Sequence, residues 1–256
     1  MEIPYFFVTL LACTWGSIVG LGGGVFIRPV FDTIGYHSVL NIQFMSSSAI
    51  LIMAIVSTIR KMFDSVKIYL PTALLISIGA IIGGTLGNIL LEHILSLFYS
   101  PTDFQRVQTI ATIIVLSIAL VFTIKNNIKY EIKSKIFSIG IGIFLGLIAV
   151  FLGIGGGPIN VPFLMIFFGF TIKYAAAYSI VIIFFSHISR IIIMGITVGY
   201  GYFDMRMLLY IIPAAAIGGL LGAIFSKFLS DKAVKKLFIR AIITVISLNI
   251  FNWFTL

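Results

Sequence analysis

The chain alternates long charge-free runs with short charged connectors. No Asp, Glu, Lys or Arg occurs in Ile3–Ile27, Thr33–Ile59, Ile68–Leu91, Val107–Ile124, Ile136–Ile172, Met207–Ser226 or Ala241–Leu256. A helix needs about 20 apolar residues to cross the hydrocarbon core of a bilayer, and most of these runs reach that length. They are continuously apolar, whereas a barrel strand needs only about 10 residues of alternating character. A helix also satisfies its own backbone donors and acceptors where no water can. The pattern predicts eight main hydrophobic helices, near 5–27, 39–60, 68–92, 106–124, 135–153, 174–197, 206–228 and 237–254.

Two of these runs are interrupted in the same way. The run Ile136–Ile172 is too long for one helix and awkward for two full spans, and its middle reads Gly153-Ile-Gly-Gly-Gly-Pro-Ile-Asn-Val-Pro162. The first helix ends on Gly20-Leu-Gly-Gly-Gly-Val-Phe-Ile-Arg-Pro29. Adjacent glycines and proline are poor helix formers and open the backbone. Gly20 matches Gly153, Gly22–Gly24 match Gly155–Gly157 and Pro29 matches Pro162, all at an offset of 133 residues. A second pair, Gly83-Gly-Thr-Leu-Gly87 and Gly218-Gly-Leu-Leu-Gly222, lies at an offset of 135, each preceded by a proline, Pro71 or Pro213. Two motifs in one order at nearly one spacing mark an internal repeat. The chain therefore reads as a first transmembrane repeat over 1–124, a basic linker over 125–135 and a second repeat over 136–256.

The connectors suggest how the repeats face. Glu92, His93, Asp103 and Arg106 join the third and fourth helices of the first half; Lys227, Asp231, Lys232, Lys235, Lys236 and Arg240 occupy the matching place in the second. Arg60, Lys61 and Lys67 match a segment holding only Asp204 and Arg206. Lys and Arg concentrate on the cytoplasmic side, so this opposite bias fits inverted repeats. Four full spans per half would keep them parallel, unless a short crossing follows each break, near 25–34 and 158–170.

Composition agrees. Of 256 residues 60% are apolar and 10% charged, against about 25% charged in a soluble domain, and the mean hydropathy is +1.18. The expected class is an all-α membrane protein whose first partner is the lipid bilayer. The net charge of +9 gathers in connectors such as Lys125, Lys129, Lys133 and Lys135, which fits cytoplasmic anchoring better than nucleic-acid binding. The lone Cys13 rules out an intrachain disulfide or a paired-cysteine metal or redox site. The amino terminus lacks the charged region and small-residue cleavage site of a secretory signal, so the first helix is expected to stay.

The glycine breaks are the leading candidate site. Their null alternative is close helix packing by small residues, which suffices for Gly83–Gly87 and Gly218–Gly222. Gly20, Gly22, Gly23, Gly24, Pro29, Gly153, Gly155, Gly156, Gly157 and Pro162 instead open backbone at membrane depth, which is tolerated only inside protein or along a wet cavity. The half-helix amino termini that follow carry partial positive charge suited to an anion, and paired breaks in two halves point to a substrate site. Arg28 either meets that anion or reaches the interface beside Asp32; Asn160 either satisfies freed backbone or contacts substrate. Further polar groups are Asn41, Gln43, Ser46, Ser47 and Ser48, then Tyr178, Ser179, Ser186, His187 and Arg190. His187 and Arg190 share a helix face, and ionisable groups inside a membrane are functional by default, although Arg190 also fits a membrane boundary. His37 and His93 fall near helix ends. Carboxylates are almost absent from helix interiors, against a cation pathway built on acids.

Enzyme chemistry finds little support. No Gly-x-Ser-Gly segment accompanies a histidine, Ser186 beside His187 is only a chain neighbour, and no His-Glu-x-x-His occurs. No cofactor or metal is expected. Nor is there a phosphate-binding Gly-x-x-x-x-Gly-Lys-Ser/Thr loop, so transport would draw on the membrane potential or on a coupling ion, proton or sodium.

At Gly20–Pro29 and Gly153–Pro162 the sequence resembles the TauE/SafE family of sulfite and organosulfur-anion exporters, also called toluene-sulfonate uptake permeases. The match is to Gly-x-Gly-Gly-Gly, a short apolar stretch and Pro, with Gly-Gly-x-Leu-Gly later in each half. Arg28 departs from the family's mostly apolar residue before the proline. The resemblance covers essentially the whole chain. It implies a secondary permease of the bacterial inner membrane for a small anion such as sulfite, sulfoacetate or a related sulfonate, working by alternating access. A passive anion channel and a non-transporting membrane assembly factor are the alternatives.

Overall fold

The computed structural model describes residues 2–63, 69–95, 101–125, 130–132, 134–152 and 156–255. Among them are ten α-helices and no strand: α1 (Glu2–Val19), α2 (Gly24–Ile34), α3 (Val39–Met62), α4 (Leu70–Leu95), α5 (Pro101–Lys125), α6 (Lys135–Leu152), α7 (Gly157–Phe167), α8 (Ile172–Thr197), α9 (Met205–Phe228) and α10 (Asp231–Thr255). Seven of them, α1, α3, α4, α5, α6, α8 and α9, are long and apolar enough to cross a membrane. α10 is equally long, but Lys232, Lys235, Lys236 and Arg240 occupy its first half. The chain is a multi-pass, all-helical membrane protein.

The helix expected over 5–27 is two helices. α1 stops at Val19, where the Gly20 and Leu21 amides both donate to the Gly16 carbonyl (2.8 and 3.1 Å). Gly20, Gly22 and Gly23 then adopt φ of 79°, 84° and 72°, left-handed backbone that glycine adopts without strain. The chain doubles back. A side chain at Gly23 would strike the backbone of Ala12 and Cys13, and the Phe31 ring lies 4.1 Å from that of Tyr5 near the start of α1. α2 is therefore the returning arm of a re-entrant hairpin, not an added crossing. Pro29 sits inside α2 rather than at the break. The second half repeats the design: Gly156, φ 81°, caps α7, which contains Pro162, and α7 returns to the linker, where the Tyr130 and Ile132 amides bond the Ile166 and Phe167 carbonyls.

Contacts fix the direction of the other helices. The hairpin of α1 and α2 opens at the end where His37 meets Asp204 (3.3 Å) and the Asn41 side chain accepts from the Asp204 amide (2.8 Å). The hairpin of α6 and α7 opens at the opposite end, where Lys173 reaches the Leu229 carbonyl (2.8 Å) and Lys235 the Ile124 carbonyl (3.2 Å). The most extensive helix contacts cross between halves and come in matched pairs: α4 lies on α6 as α9 lies on α1. Glycine permits both. A side chain at Gly79 or Gly83 would strike the Ile139 or Ile143 carbonyl of α6, and one at Gly222 the Thr14 carbonyl of α1. Dispersion and close backbone approach hold helices together in lipid, so Gly83–Gly87 and Gly218–Gly222 serve packing. Two apolar cores result: α1, α2 and α3 with residues of α8 and α9, and α6, α7 and α8 with residues of α4, α5 and α10.

Candidate anion site

The two breaks touch at the centre of the bundle, where a side chain on Gly157 would strike the Leu21 carbonyl. Beside this crossing, between the two halves, lies a cavity of about 320 Å³. α7 supplies its capping Gly156 and, one turn on, Asn160, 2% exposed. α8 supplies Ser186, His187, Ser189 and Arg190, and α2 supplies Arg28. Gln43 enters from α3, Thr85 and Asn88 from α4, and Gln108 from α5. Thr85 and Asn88 are exposed at the mouth, whereas Asn160 and His187 lie buried.

The local sequence explains each position. Ser186, Ser189, Ile193 and the pair His187 and Arg190 recur at helical spacing along one side of α8. Arg190 donates to the Gln43 side chain (3.3 Å). Arg28 stands 3.8 Å from Asp32, one turn along α2, with both side chains partly exposed. Gln108 donates to the Phe151 carbonyl (2.6 Å), a backbone group freed at the end of α6. His187 is 4% exposed and its Nδ1 has no hydrogen-bond partner. A buried polar atom without a partner costs about 1–3 kcal/mol, and this one lies on the cavity wall, unlike the unpartnered Thr9, Ser47 and Thr58 hydroxyls.

The electrostatics have one sign. Two guanidinium groups lie on the wall, and no Asp or Glu does among the described residues. Gly156, with no side-chain cap on α7, brings the positive end of a helix dipole to the same wall. Amides and hydroxyls complete a surface of donors suited to oxygen atoms of a small anion.

Of the residues singled out in the sequence, Arg28, Gln43, Gly156, Asn160, Ser186, His187 and Arg190 converge on the cavity. Gly20, Gly22, Gly23, Gly24, Pro29, Gly157 and Pro162 lie off it, as do Ser47 and Ser179; Gly153 and Gly155 lie outside the described residues. Ser179 instead donates to the Gly20 carbonyl (2.7 Å), satisfying backbone opened by the first break. Thr85, Asn88, Gln108 and Ser189 were not singled out. Their signal was faint: Thr85 and Asn88 are polar residues three apart on an otherwise apolar helix, and Gln108 opens a charge-free run.

Helices with paired re-entrant breaks around a cationic cavity define a membrane transporter, which handles a small-molecule substrate across the bilayer. Residues 5–249 match the family Sulfite exporter TauE/SafE, and the chain belongs to it. It is 25% identical over 249 residues to the probable membrane transporter protein YunE of Bacillus subtilis (strain 168), covering 88% of each chain. No solved structure matches it.

Proposed function

We propose that the chain is a secondary transporter of a small anion in a bacterial inner membrane, working by alternating access. Sulfite or an organosulfur anion such as a sulfonate is the class to which the family points. The observation that carries this reading is the cavity wall, with Arg28 and Arg190 and, among the described residues, no carboxylate. Its volume, about 320 Å³, falls at the small end of ligand pockets, about 300–1,000 Å³.

Residues 1–124 and 136–256 act as two repeats of five helices, a re-entrant hairpin followed by three long helices each, joined by the basic linker. Inversion of one against the other is supported by the hairpins opening at opposite ends. Lys and Arg gather at the end that holds the linker, the close of α3 and α9 and the start of α8 and α10. That end is cytoplasmic by the positive-inside rule. The cavity, walled by the start of α5 and the later part of α8, then faces outward.

Uptake of labelled isethionate or sulfite into proteoliposomes tests the reading. Saturable uptake with counterflow is expected. Non-saturating flux without counterflow would indicate a passive channel. No flux above empty vesicles for sulfite, sulfonates or carboxylates would indicate an assembly role.

A further inference from the structure

We infer that His187 takes up a proton when the cavity binds its anion, so that anion and proton cross together. The inference rests on the anion-site reading above and adds the coupling ion to it. His187 is the one wall residue, among those described, whose side chain ordinarily changes charge near neutral pH. Its Nδ1 is buried and unpartnered. The charged groups around it are Arg190, on the same face of α8, and Arg28 of α2. Among the described residues, the walls from α3, α4, α5, α6 and α7 add amides, hydroxyls and apolar side chains but no charge; Asp32, 3.8 Å from Arg28, is off the wall.

Charge then couples the two events. In the empty cavity a third cation beside two guanidiniums is disfavoured, and little water screens the repulsion. A bound anion offsets part of that positive field and offers oxygen atoms to an imidazolium N–H. Each ligand therefore favours the other, and by linkage the effect is reciprocal. A sodium ion fits less well, because it would enter a wall that already carries two positive charges. A proton needs only the lone pair on the ring.

Calorimetric titration of the detergent-solubilised protein with isethionate tests this, since a sulfonate stays ionised throughout and all proton uptake belongs to the protein. Bis-Tris and Tris serve as buffers, being cationic, free of sulfonate and different in ionisation heat. The inference predicts binding heats that differ between the buffers by the uptake of up to one proton. It also predicts affinity that strengthens as pH falls, by at most about tenfold per pH unit. In His187→Gln, or His187→Asn where that variant does not fold, the buffer difference and the pH dependence disappear. In His37→Gln, which alters the histidine paired with Asp204 away from the cavity, they persist. Equal heats in both buffers for the wild type would overturn the inference and leave the anion site standing. Proton uptake retained in the His187 variants would overturn it equally. No binding heat at all would overturn the anion site, and this inference with it.

Discussion

At the 133-residue offset, each cavity position in the second half has a counterpart in the first: Asn160 matches Ile27, Ser186 matches Met53, His187 matches Ala54 and Arg190 matches Ser57. The backbone around them is alike. Gly23 caps α2 as Gly156 caps α7, and both take left-handed φ. Gly222 meets Thr14 and Ser17 of α1 as Gly87 meets Leu147 and Val150 of α6. Yet Ile27, Met53 and Ala54 sit in a closed apolar core with Ala12, Cys13, Ala49 and Ala215. Several polar groups left there satisfy one another: Ser17 and Ser57 bond at 2.8 Å, Ser17 donates to the Gly219 carbonyl, and Lys61 donates to the Ser17 carbonyl at the end of α1, while the Thr9, Ser47 and Thr58 hydroxyls are buried without a partner. One scaffold thus carries a cationic cavity on one side and a closed, mostly apolar buttress on the other. The backbone makes room for a site, and side-chain chemistry decides whether there is one.

Changes on the two sides should therefore fail in different ways. The largest effect is expected from Arg190→Gln. A hydrogen bond to a charged group contributes about 1.5–3 kcal/mol, so anion affinity should fall about 10- to 100-fold, while the thermal midpoint in detergent holds. Titration with isethionate measures the first and a melting curve the second. Next comes Ala54→Asn at the counterpart of His187. It buries an amide without partners, so stability should fall by about 1–3 kcal/mol with isethionate affinity unchanged in the protein that folds; altered affinity would break the comparison. Gly142→Ala should cost a similar 1–3 kcal/mol by overpacking, because the added methyl strikes the Ile76 carbonyl of α4. Ser179→Ala leaves the Gly20 carbonyl without its donor and should cost about 1 kcal/mol. Gly140→Ala, where nothing lies within 4 Å, should leave the melting curve where it is.

The parts of the fold that depend on local pattern were legible in the sequence. Long charge-free runs predicted α3, α4, α6, α8 and α9 to within a few residues, and three adjacent glycines predicted a break after Gly20. The glycines left a broken or a re-entrant segment open, and which of the two α2 forms was not legible. It depends on Gly23 fitting against Ala12 and on Phe31 meeting Tyr5, contacts set by three-dimensional packing rather than by spacing. The cavity divides in the same way. His187 and Arg190 share a helix face and could be paired from spacing alone. Thr85, Asn88 and Gln108 are lone polar residues in apolar runs, brought to the wall by the packing of α4 on α6 and of α5 on α7. Ser179 looked like a substrate ligand because it is polar and deep; its bond to the Gly20 carbonyl gives it a partner within the fold.

The proposed function places a small anion in the cavity beside Arg28 and Arg190. Counterflow of labelled isethionate into proteoliposomes, run side by side with wild type and Arg190→Gln at equal protein incorporation, tests it most directly. The account predicts saturable, counterflow-stimulated uptake by the wild type and almost none by the variant at the same concentration. Equal uptake by both would contradict it.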